Sequence, residues 1–400
     1  MKVAFFTHYA QLYGANRSLL DLIDGLKLYD VESFVVAPEK GDLIDSLKKR
    51  KVPFMIVPHQ WWSSERLPDN HLKDRISYFW KWHKNAIKKL IINLRLVSSI
   101  RKQITAWDID LLYSNSSVIP IGAIMSLAMN KPHIWHLREF GDLDYNLSFD
   151  WGTPIFNIFL RRANAQICIS QAIRSFYRNG LRSNKCHVVY NGVASKKLID
   201  KMQEKTIESH MSKDYFNFAI VGLIHPNKGQ DIAIHALSLI KDSHPKTRLI
   251  IAGEDNRGGT YIKQLQEFAT QCGVEKQVIF YGFASNPYDI YRQTDAVLMC
   301  SINEALGRVT IEAMTACKPV IGYKSGGTAE LIFNEVNGLL YEGDYRELAY
   351  CMQRLIENPS WAHEMGENGW RMAKDSYSIE TYAGKIYEIL SDVMNRKKER

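Results

Sequence analysis

The sequence predicts an α/β protein of two domains, each a parallel β-sheet with helices on its faces. Three observations indicate this fold class. Short apolar runs alternate with amphipathic segments along the chain, which is the pattern of βαβ units. The 400 residues are too many for one ordinary core and favour two domains of about 200 residues each. A polar, charged stretch at 195–213 divides the strand-like runs into two sets.

The strand-like runs place the two sheets along the chain. In the first set the predicted strands are Val3–Phe6, Ser33–Ala37, Pro53–Val57, Leu111–Ser114, His133–Leu137, Ala165–Ile169 and His187–Tyr190. In the second set they are Asn217–Val221, Thr247–Ala252, Gln277–Tyr281, Ala296–Met299 and Pro319–Tyr323. The first domain is therefore expected at 1–195 and the second at 214–377. The last segment, 378–400, is predicted to be one helix that returns to the first domain.

The composition is that of a folded protein kept inside the cell. Hydrophobic residues make up 46% of the chain and charged residues 24%. Six cysteines lie scattered, which favours buried thiols over a disulfide framework or a zinc site. The first apolar run is too short for a signal peptide, and no run approaches the roughly 20 apolar residues of a membrane span. We therefore expect a cytoplasmic protein.

The positive charge is concentrated in the first half. Residues 1–200 contain 28 Lys and Arg against 17 Asp and Glu, a net of +11, whereas residues 201–400 contain 23 against 26, a net of −3. This asymmetry indicates an anionic partner for the first half. Membrane lipid and nucleic acid both fit the charge, but no nucleic-acid-binding motif accompanies it, so nucleic acid is not expected.

One segment of the first half, 71–102, has the composition of an interfacial helix. It carries nine Lys and Arg against a single acidic residue, Asp74. Its apolar side chains follow helical spacing at Ile76, Phe79, Trp80, His83, Ile87, Leu90, Ile91, Leu94 and Val97. A basic amphipathic helix with aromatic residues is typical of contact with an anionic membrane surface. A helix whose stripe packs on its own sheet explains the spacing equally well, and both interpretations stay open.

The most informative segment of the second half holds two glutamates eight residues apart, Glu304 and Glu312. They lie between the predicted strand Ala296–Met299 and a helix, where ligands bind in open α/β sheets. A helix start offers N–H groups to phosphate, and a carboxylate there can accept two ribose hydroxyls. Taken alone, the pair is better explained as two solvated glutamates on a helix edge.

A second turn of this kind lies upstream at Val221–Gly229, between a strand and a helix. Gly222 stands at its start and Lys228 near its end. One lysine together with backbone N–H groups suits a phosphate, although the residue order is not that of a P-loop. Gly326-Gly327 precedes a further predicted helix.

Together these motifs resemble the donor domain of the retaining glycosyltransferases of family 4. In chain order they are Val221–Gly229, Glu304 and Glu312, Glu312-Ala313-Met314 followed by Pro319-Val320, Gly326-Gly327, and Asn337-Gly338-Leu339-Leu340, over about 120 residues. The resemblance implies the GT-B architecture, in which two Rossmann-like domains face each other across a cleft.

The resemblance also implies roles for individual residues of the donor site. Glu304 is expected beside the hydroxyls of the donor sugar, Glu312 at the ribose, and Lys228 at the diphosphate. Backbone N–H groups after the first glutamate are expected to support sugar and phosphate, and these belong to Ala305, Leu306, Gly307, Arg308 and Val309. Gly222 begins the phosphate loop.

One position departs from the family pattern. The family commonly has an arginine after the first glycine of the phosphate loop, where this chain has Leu223. The diphosphate leaving group would then lack half of its usual cationic support. We expect Arg308, or Arg17 of the first domain, to replace the missing guanidinium.

The first domain resembles the family less closely. Gly14 and Ala15, after the first strand, match a loop whose backbone N–H groups face the transferred sugar, and Asn16 replaces the usual acidic residue. His136 ends a predicted strand, and the family places a histidine near the donor sugar there. The expected acceptor contacts follow it at Arg138, Glu139 and Asp142.

The resemblance implies transfer of a sugar from a UDP- or GDP-sugar to a hydroxyl acceptor, with retention of the anomeric configuration. We expect a lipid-linked or polysaccharide glycan as the acceptor, at the inner face of the plasma membrane. No cofactor is expected. No metal is expected either, because Asp142 and Asp144 form an isolated DxD pair without the surroundings of a metal-dependent transferase.

Two alternatives to a transferase stay open. One is an enzyme of the same architecture, a nucleotide-sugar epimerase or a phosphorylase. The other is a non-catalytic subunit that binds a nucleotide sugar or a glycan. Leu223 and Asn16 favour the non-catalytic subunit, whereas the presence of Glu304, Glu312 and Lys228 argues against it.

Overall fold

The computed structural model of the chain describes residues 1–66, 72–209, 214–255 and 258–398, and within them the side chains of all but 72–78, 144–145, 205–209 and 398. Two compact units are present. The first comprises Met1–Gly192 and Ile379–Arg400, and the second Val193–Ser378. The chain passes from the first unit to the second between Gly192 and Val193. The stretch 195–213, where the sequence indicated the boundary, begins with a helix of the second unit and is not a linker there.

The first unit contains nine strands and eight helices in its described residues. Its strands are β1 (Lys2–Phe6), β2 (Glu32–Ala37), β3 (Phe54–Ile56), β4 (Ser63–Glu65), β5 (Leu111–Ser114), β6 (His133–Leu137), β7 (Leu147–Phe149), β8 (Ala165–Cys168) and β9 (Cys186–Val188). Its helices are α1 (Gly14–Leu26), α2 (Asp42–Lys49), α3 (Leu72–Ala106), α4 (Ile121–Met129), α5 (Asp142–Tyr145), α6 (Gly152–Arg162), α7 (Gln171–Phe176) and, at the end of the chain, α16 (Ile379–Lys398).

Seven of these strands form one parallel sheet in the order β3-β2-β1-β5-β6-β8-β9. Side chains alternate between its two faces, as the period of two requires. Val3 and Phe5 of β1 join one core with α1 and α16, while Ala4 and Phe6 join the other with α3 and α4. Both faces are covered, as parallel sheets demand. The strands β4 and β7 pair separately and antiparallel.

Helix α16 completes the first unit from the far end of the chain. Its side chains Tyr382, Ala383, Ile386 and Leu390 are fully buried in the core beneath α1. The predicted return of the C-terminal helix to the first domain is therefore confirmed.

The second unit contains six strands and eight helices in its described residues. Its strands are β10 (Phe216–Val221), β11 (Thr247–Ala252), β12 (Val278–Gly282), β13 (Ala296–Met299), β14 (Val320–Tyr323) and β15 (Gly338–Tyr341). Its helices are α8 (Lys196–Ser209), α9 (Gln230–Ile240), α10 (Thr260–Gln271), α11 (Tyr288–Tyr291), α12 (Arg308–Thr315), α13 (Thr328–Leu331), α14 (Tyr345–Glu357) and α15 (Pro359–Ser376). The strands form one parallel sheet in the order β12-β11-β10-β13-β14-β15.

The predicted α/β class and all twelve predicted strands are confirmed, with ends that differ by at most two residues. Two predicted loops prove partly helical. Gly14 and Ala15 form the first turn of α1, and Arg308 and Val309 the first turn of α12. Their N–H groups therefore belong to helix starts and not to irregular loops.

Helix α3 exposes an apolar stripe to solvent. Phe79, Trp80, Ile87, Ile91 and Leu94 are all more than 40% exposed. The buried residues Ala86, Asn93, Ile100 and Ile104 lie on a different side of the helix, and of these Ile100 and Ile104 belong to the core over the sheet. Most of the stripe predicted from the spacing is thus not the packing face of the helix, but Val97 at its end packs against the core. Ile76 lies among the side chains that are not described. Among the described helices, none combines the length and apolar character that crossing a bilayer requires.

Candidate functional site

Each sheet has a point where the strand order reverses, and ligands of open α/β sheets bind outside the carboxyl ends of strands at such points. In the second unit this point lies between β10 and β13, because β11 and β12 extend to one side and β14 and β15 to the other. The loops that leave β10 and β13 carry the two motifs with Lys228 and Glu304.

Lys228 and Glu304 meet at this point of the second sheet. Lys228 ends a single 3-10 turn, Pro226–Lys228, and its Nζ lies 2.8 Å from Glu304 Oε2. The lysine side chain is 37% exposed and the glutamate 18%. The structure therefore brings together two predicted residues that are 76 positions apart, and both stay accessible to a ligand.

The Glu304 loop is supported from behind by Gly326 and Gly327. The Gly327 N–H donates to the Glu304 carbonyl at 2.7 Å. A Cβ at Gly326 would lie 2.4 Å from that carbonyl oxygen, and one at Gly327 would lie 2.4 Å from Leu306 Cα. Any side chain at either position would push the loop away, so the glycine pair fixes where Glu304 stands.

The same loop ends in a helix start. Gly307 has φ 90°, a left-handed conformation that favours glycine, and it precedes the first turn of α12. Ala305 and Leu306 have buried side chains and can offer a ligand only their backbone. The N–H groups and the positive dipole end at the start of α12 suit a phosphate or an oxyanion.

Glu312 is held by two partners on the buried side of α12. Arg308 Nε donates to its Oε1 at 2.8 Å, and Tyr291 Oη donates to its Oε2 at 3.2 Å. Burial and the carboxylate of Glu312 raise the pKa of Tyr291 well above its usual value, so the phenol keeps its proton. Sequence reasoning missed Tyr291, because no motif surrounds the short helix α11 that carries it.

The two arginines expected to replace the missing guanidinium at Leu223 have partners of their own. Arg308 shares its charge with Glu312, as described above. Arg17 Nε donates to the carbonyl of Leu12 at 2.9 Å within the first unit. Gly222, which begins the loop, stands directly after β10 and donates its N–H to the Ala252 carbonyl at 2.9 Å.

In the first unit the sheet order reverses between β1 and β5. The loop after β1 leads into Gly14 and Ala15, and the Ala15 carbonyl accepts from Asn115 Nδ2 at 3.3 Å. Asn16 is buried and donates to the carbonyls of Tyr9 and Gln11 at 2.9 and 2.8 Å. A carboxylate could not donate these bonds, so the asparagine closes the loop in a way the usual acidic residue would not.

His136 is fully buried at the end of β6. Its Nδ1 lies 2.7 Å from Tyr113 Oη, and its Nε2 has no hydrogen-bond partner among the described residues. Burial, and then the nearby charge of Arg138, lower the pKa of His136 well below its usual value. The imidazole is therefore neutral and can share a hydrogen bond with a hydroxyl without carrying charge.

The three residues predicted as acceptor contacts have intramolecular partners instead of open side chains. Arg138 is buried and donates to Asn115, Asn191 and Tyr382 at 2.7 to 2.9 Å, which ties β6 to α16. Asp142 Oδ2 pairs with Arg66 at 2.6 Å. The guanidinium of Arg138 is engaged in holding the fold, and its role as an acceptor contact stays a prediction.

Glu139, the third of these residues, is a buried carboxylate. Its Oε1 accepts from Ser116 Oγ and from the N–H and Oγ of Ser117, at 2.6 to 2.8 Å. Burial nevertheless raises the pKa of Glu139 above its ordinary value. All three groups donate to the same carboxylate oxygen, Oε1.

In the described ranges, no three His, Cys, Asp or Glu side chains come together in a way that could hold a metal ion. Asp142 is engaged by Arg66, and the side chain of Asp144 lies outside the described residues.

The first unit contains a cavity of about 750 Å³ that was not predicted from the sequence. It lies at the carboxyl ends of β1, β2 and β3, and its lining includes Tyr9, Tyr13, His59, Trp61 and Lys89. These residues come from separate loops and from α3, so no single motif could have shown that they meet.

Each half of the chain matches a known protein family. Residues 13–197 match the family model "Glycosyltransferase Family 4", and residues 201–372 match "Glycosyl transferases group 1". EpsD of Bacillus subtilis (strain 168), a candidate glycosyltransferase, is 24% identical over 76% of this chain and 83% of its own. A GDP-mannose-dependent alpha-(1-6)-phosphatidylinositol monomannoside mannosyltransferase of Mycolicibacterium smegmatis is 31% identical over 42% of this chain and 45% of its own.

Solved structures show the same fold over nearly the full length. Crystal structures of HepE from Anabaena were determined with UDP and glucose and with UDP-glucose. The first has a TM-score of 0.76 at 25% identity and covers 98% of this chain and 99% of HepE. The second has a TM-score of 0.75 at 26% identity, with 98% and 100% covered.

Proposed function

The chain belongs to glycosyltransferase family 4 and has the GT-B fold, and on that premise we propose that it transfers a sugar from a UDP-sugar to a hydroxyl of a glycan. The observation that carries the proposal is the contact between Lys228 and Glu304 at the point where the second sheet reverses its strand order. Binding of UDP and UDP-glucose by HepE, a relative similar over nearly its whole length, favours UDP over GDP as the donor nucleotide.

The lysine supplies the cation for the leaving diphosphate. Its ammonium has three donors, so it can keep Glu304 as one partner and take phosphate oxygens as others. The N–H groups that begin α12 add fixed positive dipoles at the same place. Such preorganised groups stabilise charge that grows on the leaving group as the glycosidic bond breaks.

Glu312 would accept hydrogen bonds from the ribose hydroxyls of the donor. Each of its oxygens accepts one protein donor in the described structure. A carboxylate offers about four lone-pair sites, so two remain for the two ribose hydroxyls. Arg308 and Tyr291 would hold the carboxylate in place for that purpose.

We propose that the anomeric configuration is retained, because the resemblance to the retaining glycosyltransferases of family 4 implies it. The bond from the anomeric carbon to the donor phosphate breaks, and the bond to the acceptor oxygen forms on the same face of the sugar. The acceptor's proton passes to the departing diphosphate. His136, being neutral, would hold a sugar hydroxyl and not act as an acid. No metal or cofactor takes part in this scheme.

The exposed stripe of α3 supports an acceptor at a membrane surface. Lys84, Lys88 and Arg95 are exposed beside the stripe, and residues 79–106 include no acidic side chain. Apolar side chains can enter the headgroup region while each nearby basic residue adds about 1 kcal/mol on anionic lipid. We therefore propose a peripheral protein of the inner face of the plasma membrane with a lipid-linked glycan as acceptor.

The test is donor turnover by the full chain. UDP-, GDP- and dTDP-sugars are incubated with wild type, Glu304→Ala and Lys228→Ala, and release of the nucleoside diphosphate is measured. We expect slow hydrolysis of one UDP-sugar, a fall of about 100-fold or more in both variants, and no effect of a chelator. Nucleotide binding without turnover, even with lipid-linked acceptors present, would instead identify a non-catalytic subunit.

A further inference from the structure

Helix α6 has apolar side chains on two sides, although it lies at the surface of the first unit. Its buried side carries Phe156 and Leu160. On another side Trp151, Ile155 and Ile158 follow helical spacing and are 37%, 40% and 50% exposed. A helix that only packs on its sheet needs a single apolar side. The second one, called the α6 stripe below, therefore indicates a further surface that the helix contacts.

The α6 stripe lies in a segment that carries only positive charge. Residues 151–190 contain six Lys and Arg and no Asp or Glu. Five of the six are exposed, and these are Arg161, Arg162, Arg174, Arg178 and Arg182. The Arg161 guanidinium donates to the Asn179 carbonyl at 2.6 Å, so the end of α6 lies beside the loop that follows α7. Exposed apolar side chains together with arginines are complementary to an anionic lipid surface.

Helix α6 covers the same face of the first sheet as α3. The rings of Phe156 and Trp135 lie 5.5 Å apart between their centroids. Ile134, the neighbour of Trp135 in β6, belongs to the core with α1 and α16, so Trp135 faces the side on which α3 lies. Trp82 of α3 donates to the Asp150 carbonyl at 3.2 Å, one residue before the α6 stripe begins. The two helices are therefore neighbours in one layer.

We propose that this helix layer lies on an anionic membrane, with the α6 stripe as a second contact besides the stripe of α3. The inference rests on the function proposed above, which assigns only α3 to the membrane. It adds a second element and specifies the face of the first unit that is turned toward the lipid. The arginines of α6 and α7 would bind lipid phosphates, while the α6 stripe enters the headgroup region.

The test measures co-flotation of the full chain with phosphatidylcholine vesicles that do or do not contain phosphatidylglycerol. The wild type should bind the anionic vesicles more tightly than the neutral ones. Ile158→Glu should weaken binding to the anionic vesicles about 10- to 100-fold, because apolar burial is lost and a like charge is added. Arg178→Gln removes one cation and should weaken the same binding about fivefold.

Leu28 provides a matched control on the other face of the first sheet. Its side chain is 66% exposed, against 50% for Ile158. It lies in the short 3-10 turn Lys27–Tyr29, in which Tyr29 stacks on Tyr387 of α16. Leu28→Glu adds the same charge as Ile158→Glu at a place turned away from the helix layer, and it should leave vesicle binding unchanged.

Two results would overturn the inference. One is equal binding of Ile158→Glu and Leu28→Glu to the anionic vesicles, because α3 would then suffice. The other is a loss of binding in Arg178→Gln without a loss in Ile158→Glu, which would identify a surface for a soluble polyanion.

Hydrolysis of a UDP-sugar without vesicles, measured on the same samples, separates this inference from the proposed function. Ile158→Glu lies outside the donor site and should hydrolyse the donor like the wild type. Absence of hydrolysis in the wild type would contradict the transferase function. Normal hydrolysis combined with vesicle binding that Ile158→Glu does not weaken would contradict only the membrane contact through α6.

Discussion

At the scale of single residues, the contact between Lys228 and Glu304 is weak, and a weak contact leaves the lysine able to bind a phosphate. Both side chains are partly exposed, and such pairs contribute about 0 to 1 kcal/mol to stability. The lysine can therefore turn toward a phosphate at little cost to the fold. The buried pair of Arg308 and Glu312 differs, because removing one partner would leave the other charge buried.

Arg308 gives the first prediction. If it replaces the guanidinium missing at Leu223, Arg308→Ala should weaken UDP binding about 10- to 100-fold, because a cation near the diphosphate is lost. Uridine, which has no phosphate, should lose much less affinity. Both affinities are measured by calorimetry. An equal loss for UDP and uridine would show that Arg308 acts only by holding Glu312.

The residues that sequence reasoning found share one property. Each belongs to a short sequence motif, and the order of these motifs along the chain predicts the site. These residues are Lys228, Glu304 and Glu312. Tyr291 and His59 belong to no motif, and their positions depend on how separate loops meet after folding. The sequence shows that Asn16 replaces the usual acidic residue, whereas its donor bonds within the loop are visible only in the structure.

At the scale of elements, the packing of α16 on α1 depends on Gly25. A Cβ at this position would lie 2.6 Å from Ala383 Cβ and 2.9 Å from Ile379 Cγ2. Gly25→Ala should gain about 1 kcal/mol of helix propensity but lose about 1 to 3 kcal/mol to overpacking. We therefore expect a lower free energy of unfolding, measured by urea denaturation.

Gly384, on the facing helix, is the control for this substitution. Its added Cβ would meet the Tyr29 hydroxyl at 2.8 Å, the far end of a side chain that can move aside. Gly384→Ala should therefore be close to neutral or slightly stabilising. If both variants are equally stable, the close approach at Gly25 does not limit the packing of α1 on α16.

Helix α3 gives a prediction about membrane binding. Ile87→Glu places a charge in the exposed stripe, and Asn85→Glu adds the same charge about 200° away around the helix. We expect Ile87→Glu to abolish co-flotation with vesicles that contain anionic lipid, and Asn85→Glu to reduce it only slightly. Binding should also fall at high salt. Equal effects of the two variants would contradict contact through the stripe.

Strand prediction succeeded even for the three-residue, partly buried strands β3 and β9, because each lies within a longer apolar run. The twelve predicted strands are runs of apolar residues that end at a turn. The strands β4 and β7 have only three residues each, and β15 begins with a glycine. Such segments lack a run long enough to show a period, and their pairing is set by partners distant in sequence.

At the scale of the whole molecule, the two units differ in their buried histidines. His8, His59, His133 and His136 all lie in the first unit. Burial lowers the pKa of His8 and of His133 to about 3 and that of His59 to about 4, and it lowers the pKa of His136 as well. These rings stay neutral in the folded unit at a pH where the unfolded chain would protonate them.

The first unit should therefore unfold in mild acid before the second. Below about pH 6.5 the unfolded chain binds a proton at each of these histidines that the folded unit does not, so stability falls by about 1.4 kcal/mol per pH unit for each, until the folded pKa is reached. Between pH 7 and 5 the total loss is about 4 to 8 kcal/mol, comparable with the stability of a domain. Conversely, full stability from these groups is present above about pH 6.5.

Tryptophan fluorescence can follow this unfolding, because seven of the nine tryptophans belong to the first unit. We expect a transition near pH 5 that leaves UDP binding by the second unit in place, and hydrogen exchange should assign it to residues 1–192 and to α16. His59→Phe should lower the proton uptake of that transition by about one. Loss of both units at the same pH, with no change in His59→Phe, would show that carboxylate protonation and not the buried histidines governs acid unfolding.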